Sequence, residues 1–151
     1  MSLRFQTERL TIRHFMPGDA ADLAEILTDP EVTYFEPYET FTAEACKAEA
    51  AQFAQSDSFF AVVLGDKVIG KFYFAKQAFG SYEIGYTFHG AYQGKGYAYE
   101  SVKGMMAYAF STLGVRREAE HKALVPRKEN AAVFDDFYVY AMLQTEFPAE
   151  Q

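Results

Sequence analysis

Tryptophan is absent from these 151 residues, cysteine occurs once and histidine three times. The single thiol, Cys46, excludes an internal disulfide and fits a reducing cytoplasm. His14, His89 and His121 have no metal-ligand spacing, so no metal site is expected. No apolar run approaches membrane-spanning length, and Met1 to Phe5 has none of the features of a signal peptide. Basic residues are outnumbered, 14 Lys and Arg against 21 Asp and Glu, for a net charge of −7. So acidic a surface excludes a nucleic-acid partner held by general electrostatics. Repeats, low-complexity stretches and linkers are missing too. The length is that of one domain, residues 1–151.

What the chain has in abundance is aromatic surface: 15 Phe and 11 Tyr, within a composition that is half apolar. That excludes disorder and suits the faces of a sheet. Thr7 to His14 alternates, with Leu10 and Ile12 on one face, and reads as a strand. Pro17-Gly18-Asp19 opens a helix striped by Leu23, Ile26 and Leu27, and Asp29-Pro30 stops it. An aromatic loop from Thr33 to Phe41 follows, and Thr42 is the expected N-cap of a second helix to about Gln55. Phe59 to Leu64 and Val68 to Ala75 read as strands joined by Gly65-Asp66-Lys67, a hairpin signal. Ser81 to Phe88 is a fourth strand. Tyr97 to Leu113 is the clearest helix, and Gly114 is its natural stop. A strand near Glu118 to Val125, a polar loop containing Asn130, and a strand from Phe134 to about Phe147 complete the order βααβββαββ. Hairpin connections imply a mostly antiparallel sheet flanked by helices, hence an α+β fold.

The most informative segment is His89 to Tyr99, which joins a strand to a helix. Gln93-Gly94-Lys95-Gly96 sets two glycines at that junction. Without side chains, backbone N–H groups can close on a ligand, and the helix start adds partial positive charge. Such a corner suits phosphate or pyrophosphate. A P-loop is excluded: His89 stands where its first glycine belongs, and Gly96 where its Ser/Thr belongs. A dinucleotide fingerprint is excluded by Tyr99 at its third small position and by the lack of βαβ alternation. On the fourth strand, Tyr82, Ile84, Tyr86 and Phe88 share one face, and Ser81, Glu83, Gly85 and Thr87 the other. Glu83 therefore has two open readings: it accepts a proton from an amine, or it pairs with a nearby Lys or Arg. Cys46, alone on its helix, reads as inert packing.

The run E-I-G-Y-x-F-x-x-x-Y-Q-G-K-G-Y-A, from Glu83 to Ala98, resembles the acetyl-CoA site of the GNAT superfamily of N-acetyltransferases. Thr7-Glu8-Arg9-Leu10-Thr11-Ile12-Arg13 with Asp19-Ala20, and Phe134-Asp135-Asp136-Phe137-Tyr138-Val139-Tyr140, look like the RimJ/RimL-like branch, which acetylates ribosomal-protein N-termini. The resemblance implies acetyl-CoA as co-substrate and an amine acceptor, either a protein N-terminus or a small molecule. It implies that the backbone of Tyr86, Thr87 and Phe88 pairs with the pantetheine arm. The N–H groups of Gln93, Gly94, Lys95, Gly96, Tyr97 and Ala98 would hold the pyrophosphate. Tyr34, Phe35, Glu36, Tyr38 and Glu39 fall in the loop where the family grips its acceptor. The amine, deprotonated by Glu83 or by water, would attack the thioester directly, with no covalent enzyme intermediate. Positioning and oxyanion stabilisation would supply most of the catalysis.

The pattern breaks after the long helix. Leu113-Gly114-Val115-Arg116-Arg117 runs straight into Glu118-Ala119-Glu120-His121, where the family continues with a further strand and helix. That segment is missing from the pattern, and with it the Tyr that often protonates the leaving thiolate; Tyr138 and Tyr140 are the stand-ins on hand. Either Glu118 to Val125 takes the vacant position or a second chain covers the open edge, as in a homodimer. The rival to an enzyme is a non-catalytic CoA-binding or dimerisation module of the same fold.

Overall fold

The computed structural model describes residues 3–34, 36–77, 82–113, 125–127 and 130–135, with residue 113 and the last two stretches described by backbone alone. The expected first strand covers only Thr11–His14, and another strand precedes it. β1 (Arg4–Gln6) and β2 (Thr11–His14) pair antiparallel across a tight turn. In that turn Thr7 N–H donates to the Leu10 carbonyl at 2.9 Å, and the Thr7 hydroxyl accepts from Leu10 N–H at 3.1 Å. A threonine side chain bonded to nearby backbone competes with strand extension, which alternation of Leu10 and Ile12 does not reveal.

α1 (Ala20–Leu27) ends where expected, but Asp29-Pro30 also starts something. Asp29 Oδ1 accepts from Glu31 N–H at 3.0 Å, and Pro30 opens the one-turn helix α2 (Pro30–Thr33). Aspartate caps and proline fits a first turn, so the pair that stops one helix begins the next. α3 (Ala43–Ala54) starts as predicted, with the Thr42 hydroxyl accepting from Ala45 N–H at 3.2 Å.

β3 (Phe59–Leu64) and β4 (Lys67–Lys76) form the predicted hairpin about Gly65, whose φ is +64°. β5 (Tyr82–Phe88) pairs with β4 and completes a five-stranded antiparallel sheet in the order β1-β2-β3-β4-β5. α4 (Tyr97–Tyr108) continues as a wider π turn over Ala109–Leu113. β6 (Val125–Arg127) and β7 (Asn130–Asp135) form a separate antiparallel hairpin. Asn130 is thus the first residue of a strand, not part of a loop: it pairs with Arg127 after a register shift that the sequence does not announce. The predicted strand from Glu118 meets the described residues only at Val125. The junction after Leu113, Tyr138, Tyr140 and the strand run beyond Asp135 lie outside the described residues, as does Ser81.

Period-two alternation splits the sheet into two apolar faces. Leu10, Ile12, Phe60, Val62, Phe72 and Phe74 pack with Met105, Ala109 and Phe110 on the α4 side. Ala61, Val63 and Val68 pack with Leu23, Ile26, Cys46, Ala50 and Phe53 on the α1 and α3 side. Each large aliphatic or aromatic side chain so buried contributes about 1.5–3 kcal/mol. Phe88, at the end of β5, lies against Gly70; a Cβ at Gly70 would come within 2.7 Å of its ring. That close approach seats the end of β5 firmly where the chain turns toward α4.

Candidate functional site

The turn between β5 and α4 is built from its two ends. The Gln93 amide nitrogen donates to the Phe88 carbonyl at 3.0 Å, folding the turn back on the strand. Ala91 N–H donates to His89 Nδ1 at 3.1 Å, which leaves the ring hydrogen on Nε2, and Nε2 donates to Glu25 on α1 at 2.9 Å. His89 is therefore a tie between this corner and α1. Gly94 and Gly96 both take left-handed backbone angles, φ +74° and +83°. Residues with a Cβ rarely adopt these angles, so glycine is required at both positions.

Gly96 is the N-cap of α4, and no side chain caps that end. The first-turn N–H groups and the positive end of the helix are therefore left for a ligand. One feature opposes an anion there: Glu100 lies in the first turn. Arg9 neutralises it. The Arg9 Nε–Glu100 Oε2 distance is 2.7 Å, and Arg9 N–H donates to the same carboxylate at 2.7 Å. Arg9 Nη1 also donates to the Lys95 carbonyl at 3.0 Å, and its guanidinium lies 4.5 Å from the Tyr97 ring centroid. Burial pushes the Glu100 carboxyl up, but the hydrogen bonds from Thr7, Arg9 N–H and the guanidinium outweigh it and hold the carboxyl below its usual range. Hydrogen bonding to Glu100 in turn raises Arg9.

A cavity of about 590 Å³ opens beside this corner. Of the predicted cofactor residues, it brings together Tyr86, Thr87, Phe88, Gln93, Gly94, Gly96, Tyr97 and Ala98. Lys95 is not in its wall; the Lys95 ammonium lies 5.8 Å from the Tyr92 ring centroid. Among the described residues β5 is the last strand of its sheet, so one row of its backbone groups faces away from β4. Glu83 pairs in register with Ala75 and is not in the cavity wall. Tyr34 follows α2, is half-buried, and is also not in the wall. Phe35 lies outside the described residues.

The cavity wall also contains Val32 and Glu36. Thr87, buried on β5, donates to Glu36 Oε1 at 2.7 Å. Behind them stands Lys71 on β4, in register with Thr87 and only 6% exposed. Its ammonium donates to the Tyr38 hydroxyl at 2.7 Å and lies 4.4 Å from that ring's centroid. Burial pushes the Lys71 amine below its ordinary value, with Glu36 and Glu49 pulling it partly back. Burial likewise raises the Tyr38 phenol well above its ordinary value. Cys46 is buried and its thiol is raised by burial, so it is unreactive. No group of three His, Cys, Asp or Glu among the described residues could hold a metal ion, and no helix among them is long and apolar enough to cross a membrane.

Sequence reasoning missed the roles of Arg9, Glu100, Lys71 and His89. A carboxylate in the first turn of an anion-binding helix was the available signal for Glu100, since it demands a cation from elsewhere. Nothing local marks Lys71, whose neighbours come from α3, the loop before it and β5.

Residues 9–133 match the family of acetyltransferase (GNAT) domains. The chain is 30% identical over 173 aligned positions to uncharacterized N-acetyltransferase YnaD of Bacillus subtilis (strain 168), covering 96% of this chain and 99% of that protein. Its fold matches the crystal structure of a GNAT-family acetyltransferase from Bacillus anthracis with a TM-score of 0.78 and 27% identity, over 95% of this chain and all of that one. A ribosomal-protein-S5-alanine acetyltransferase from Vibrio fischeri shares the fold at a TM-score of 0.68 and 19% identity, over 97% of this chain and 100% of the other.

Proposed function

Because this chain belongs to the GNAT family of acetyltransferases, we propose that its cavity takes acetyl-CoA and that the enzyme transfers the acetyl group to a primary amine within a ternary complex. One observation carries this reading: two left-handed glycines at the uncapped start of α4 share a cavity wall with the outer strand β5. A diphosphate seated there meets backbone N–H groups and the positive end of a helix, in a molecule whose net charge of −7 repels it elsewhere. In this proposal Gln93, Gly94, Lys95, Gly96, Tyr97 and Ala98 hold the pyrophosphate. The outward backbone of Tyr86, Thr87 and Phe88 pairs with the amides of the pantetheine arm, in the manner of an added strand.

The loop that carries Tyr34 and Phe35 grips the acceptor. Its proton goes to a carboxylate or a water at β5, with Glu83 the strand's own candidate. The amine then attacks the thioester carbonyl and free CoA leaves. Supporting a RimJ/RimL-like enzyme are the opening run from Thr7 to Arg13 and the fold shared with the ribosomal-protein-S5-alanine acetyltransferase; the acceptor is a protein N-terminus or a small amine. We take residues 1–151 as one cytoplasmic domain whose family pattern is shortened after α4. The alignment with YnaD runs over 173 positions against 151 residues here, which supports that shortening. A homodimer would cover the open edge.

Thermal melting with and without acetyl-CoA tests the binding half. At roughly 100 times its dissociation constant the ligand stabilises by about 2.7 kcal/mol. No shift at millimolar acetyl-CoA overturns the assignment. Amine-dependent release of free thiol then separates an enzyme from a module that only binds CoA.

A further inference from the structure

Lys71 is buried, yet among the described residues it stands in no ion pair; its ammonium is held by the hydroxyl of Tyr38. A buried ammonium without a carboxylate partner is costly to keep, and packing alone would favour an apolar side chain at that position. Its surroundings suggest why it is kept. Lys71 stands opposite Thr87 in the β4–β5 register, and Thr87 donates to Glu36, which lies in the cavity wall. The Tyr38 hydroxyl accepts from Lys71, and Thr87 and Glu36 are near enough to that hydroxyl to influence it. The titratable groups facing Lys71 are Tyr38 and Glu36 from the loop before α3, and Glu49 from α3. Phe53 and Phe59 close the remaining sides, their ring centroids 5.9 and 5.8 Å from the ammonium.

We propose that Lys71 is a positioning residue for acyl transfer, the buried end of a Lys71–Tyr38–Glu36–Thr87 cluster that holds the Glu36 carboxylate at the cavity wall to take the proton of the incoming ammonium. This rests on the acetyl-transfer reading above and gives the proton-accepting role to the carboxylate that lines the cavity. The ammonium passes one proton to a Glu36 oxygen. The freed nitrogen lone pair forms the C–N bond at the thioester carbonyl carbon, and the C–S bond breaks. The nitrogen's second proton goes to the departing sulfur, and Glu36 returns its own to water.

The test is release of free thiol from acetyl-CoA, with a short peptide bearing a free N-terminal alanine and, separately, a diamine, across about pH 6 to 10. In Lys71→Met, kcat falls roughly a hundredfold. KM for acetyl-CoA stays within about threefold, because the glycine corner is untouched. Lys71→Arg keeps the positive charge and restores most of the rate, which recovered packing alone would not do. If Lys71→Met does not fold, Tyr38→Phe decides: it keeps the ring, severs the ammonium contact, and lowers kcat in the same direction. A folded Lys71→Met, or failing that Tyr38→Phe, with kcat within about threefold of wild type overturns the proposal while leaving acetyl transfer intact. A wild type that melts higher with acetyl-CoA but releases no thiol to either amine overturns both.

Discussion

The two walls of the cavity are made differently. The wall at the start of α4 is main chain: two glycines in left-handed angles and an uncapped helix end, with Tyr99 74% exposed beside them. The wall at Glu36 is side chain, with Thr87, Tyr38 and a buried lysine gathered from β5, the loop before α3 and β4. A backbone wall recognises a linkage common to every turnover, so it needs little beyond shape and dipole. A side-chain wall can distinguish one amine from another, and its cost is the burial of charge. The first should be broken by adding atoms, the second by removing them.

The largest expected effect follows from adding atoms. Gly96→Glu puts a Cβ where φ is +83°, 3.3 Å from Arg9 Nη2, and adds a carboxylate at the proposed diphosphate site. Acetyl-CoA affinity should fall by at least about a hundredfold, read as loss of the melting shift or by calorimetry. Gly94→Ala sharpens the point, because a Cβ there meets nothing within 4 Å and only the backbone angle of +74° resists it. It should weaken binding by much less. Equal effects at the two positions would mean that strain, not occupancy by a ligand, sets the requirement for glycine.

The next effect tests whether the backbone wall is truly independent of side chains. Arg9 holds the Lys95 carbonyl and neutralises Glu100. Arg9→Ala should lower acetyl-CoA affinity by about tenfold through loss of a preorganised turn. The guanidinium is 42% exposed, and Glu100 keeps its bonds from Thr7 and from the residue 9 N–H, so melting without ligand should fall only slightly. A variant that binds as wild type would show that the turn is held by its glycines alone.

These differences explain what could be read in advance. The glycine corner, the Thr42 cap and the β3–β4 hairpin are local: each lies within a few residues, where propensity and spacing act. The antiparallel pairing of β3, β4 and β5 was legible for the same reason, since short connections keep neighbours in sequence adjacent in the sheet. The strand before Thr7 and the turn that follows it were not, because a single hydroxyl at Thr7 helps to reverse the chain there. Long-range pairings were also hidden. Arg9 and Glu100 lie 91 residues apart, and Thr87 and Glu36 lie 51 apart. Glu83 drew attention because it sits on the motif strand, while the carboxylate in the cavity wall, Glu36, comes from a loop whose path the sequence does not fix.

The smallest effect is a dependence on acid that should report on the backbone wall. Two carboxyls brace the glycine corner. Glu100 is bonded to Thr7 and Arg9, and Glu25 to Lys67 and to His89. Hydrogen bonds from Lys67 and then His89 hold the Glu25 carboxyl below its ordinary value, and Glu100 is likewise lowered. For a carboxyl whose folded value lies below its unfolded one, the stabilisation is complete above the unfolded value of 4.5 and is lost as pH falls through the folded value. Melting temperature should therefore hold from neutrality to about pH 4.5 and decline below it. Glu100 is the less exposed of the two, its side chain 14% exposed against 50% for Glu25, so it should carry most of the effect. Glu100→Gln, which cannot ionise, should remove roughly 2–4 °C of that decline. The same loosening should weaken acetyl-CoA binding in acid while Lys71, shielded behind Tyr38, stays charged. An acid decline unchanged in Glu100→Gln would move the titrating brace from the glycine corner to some other part of the molecule.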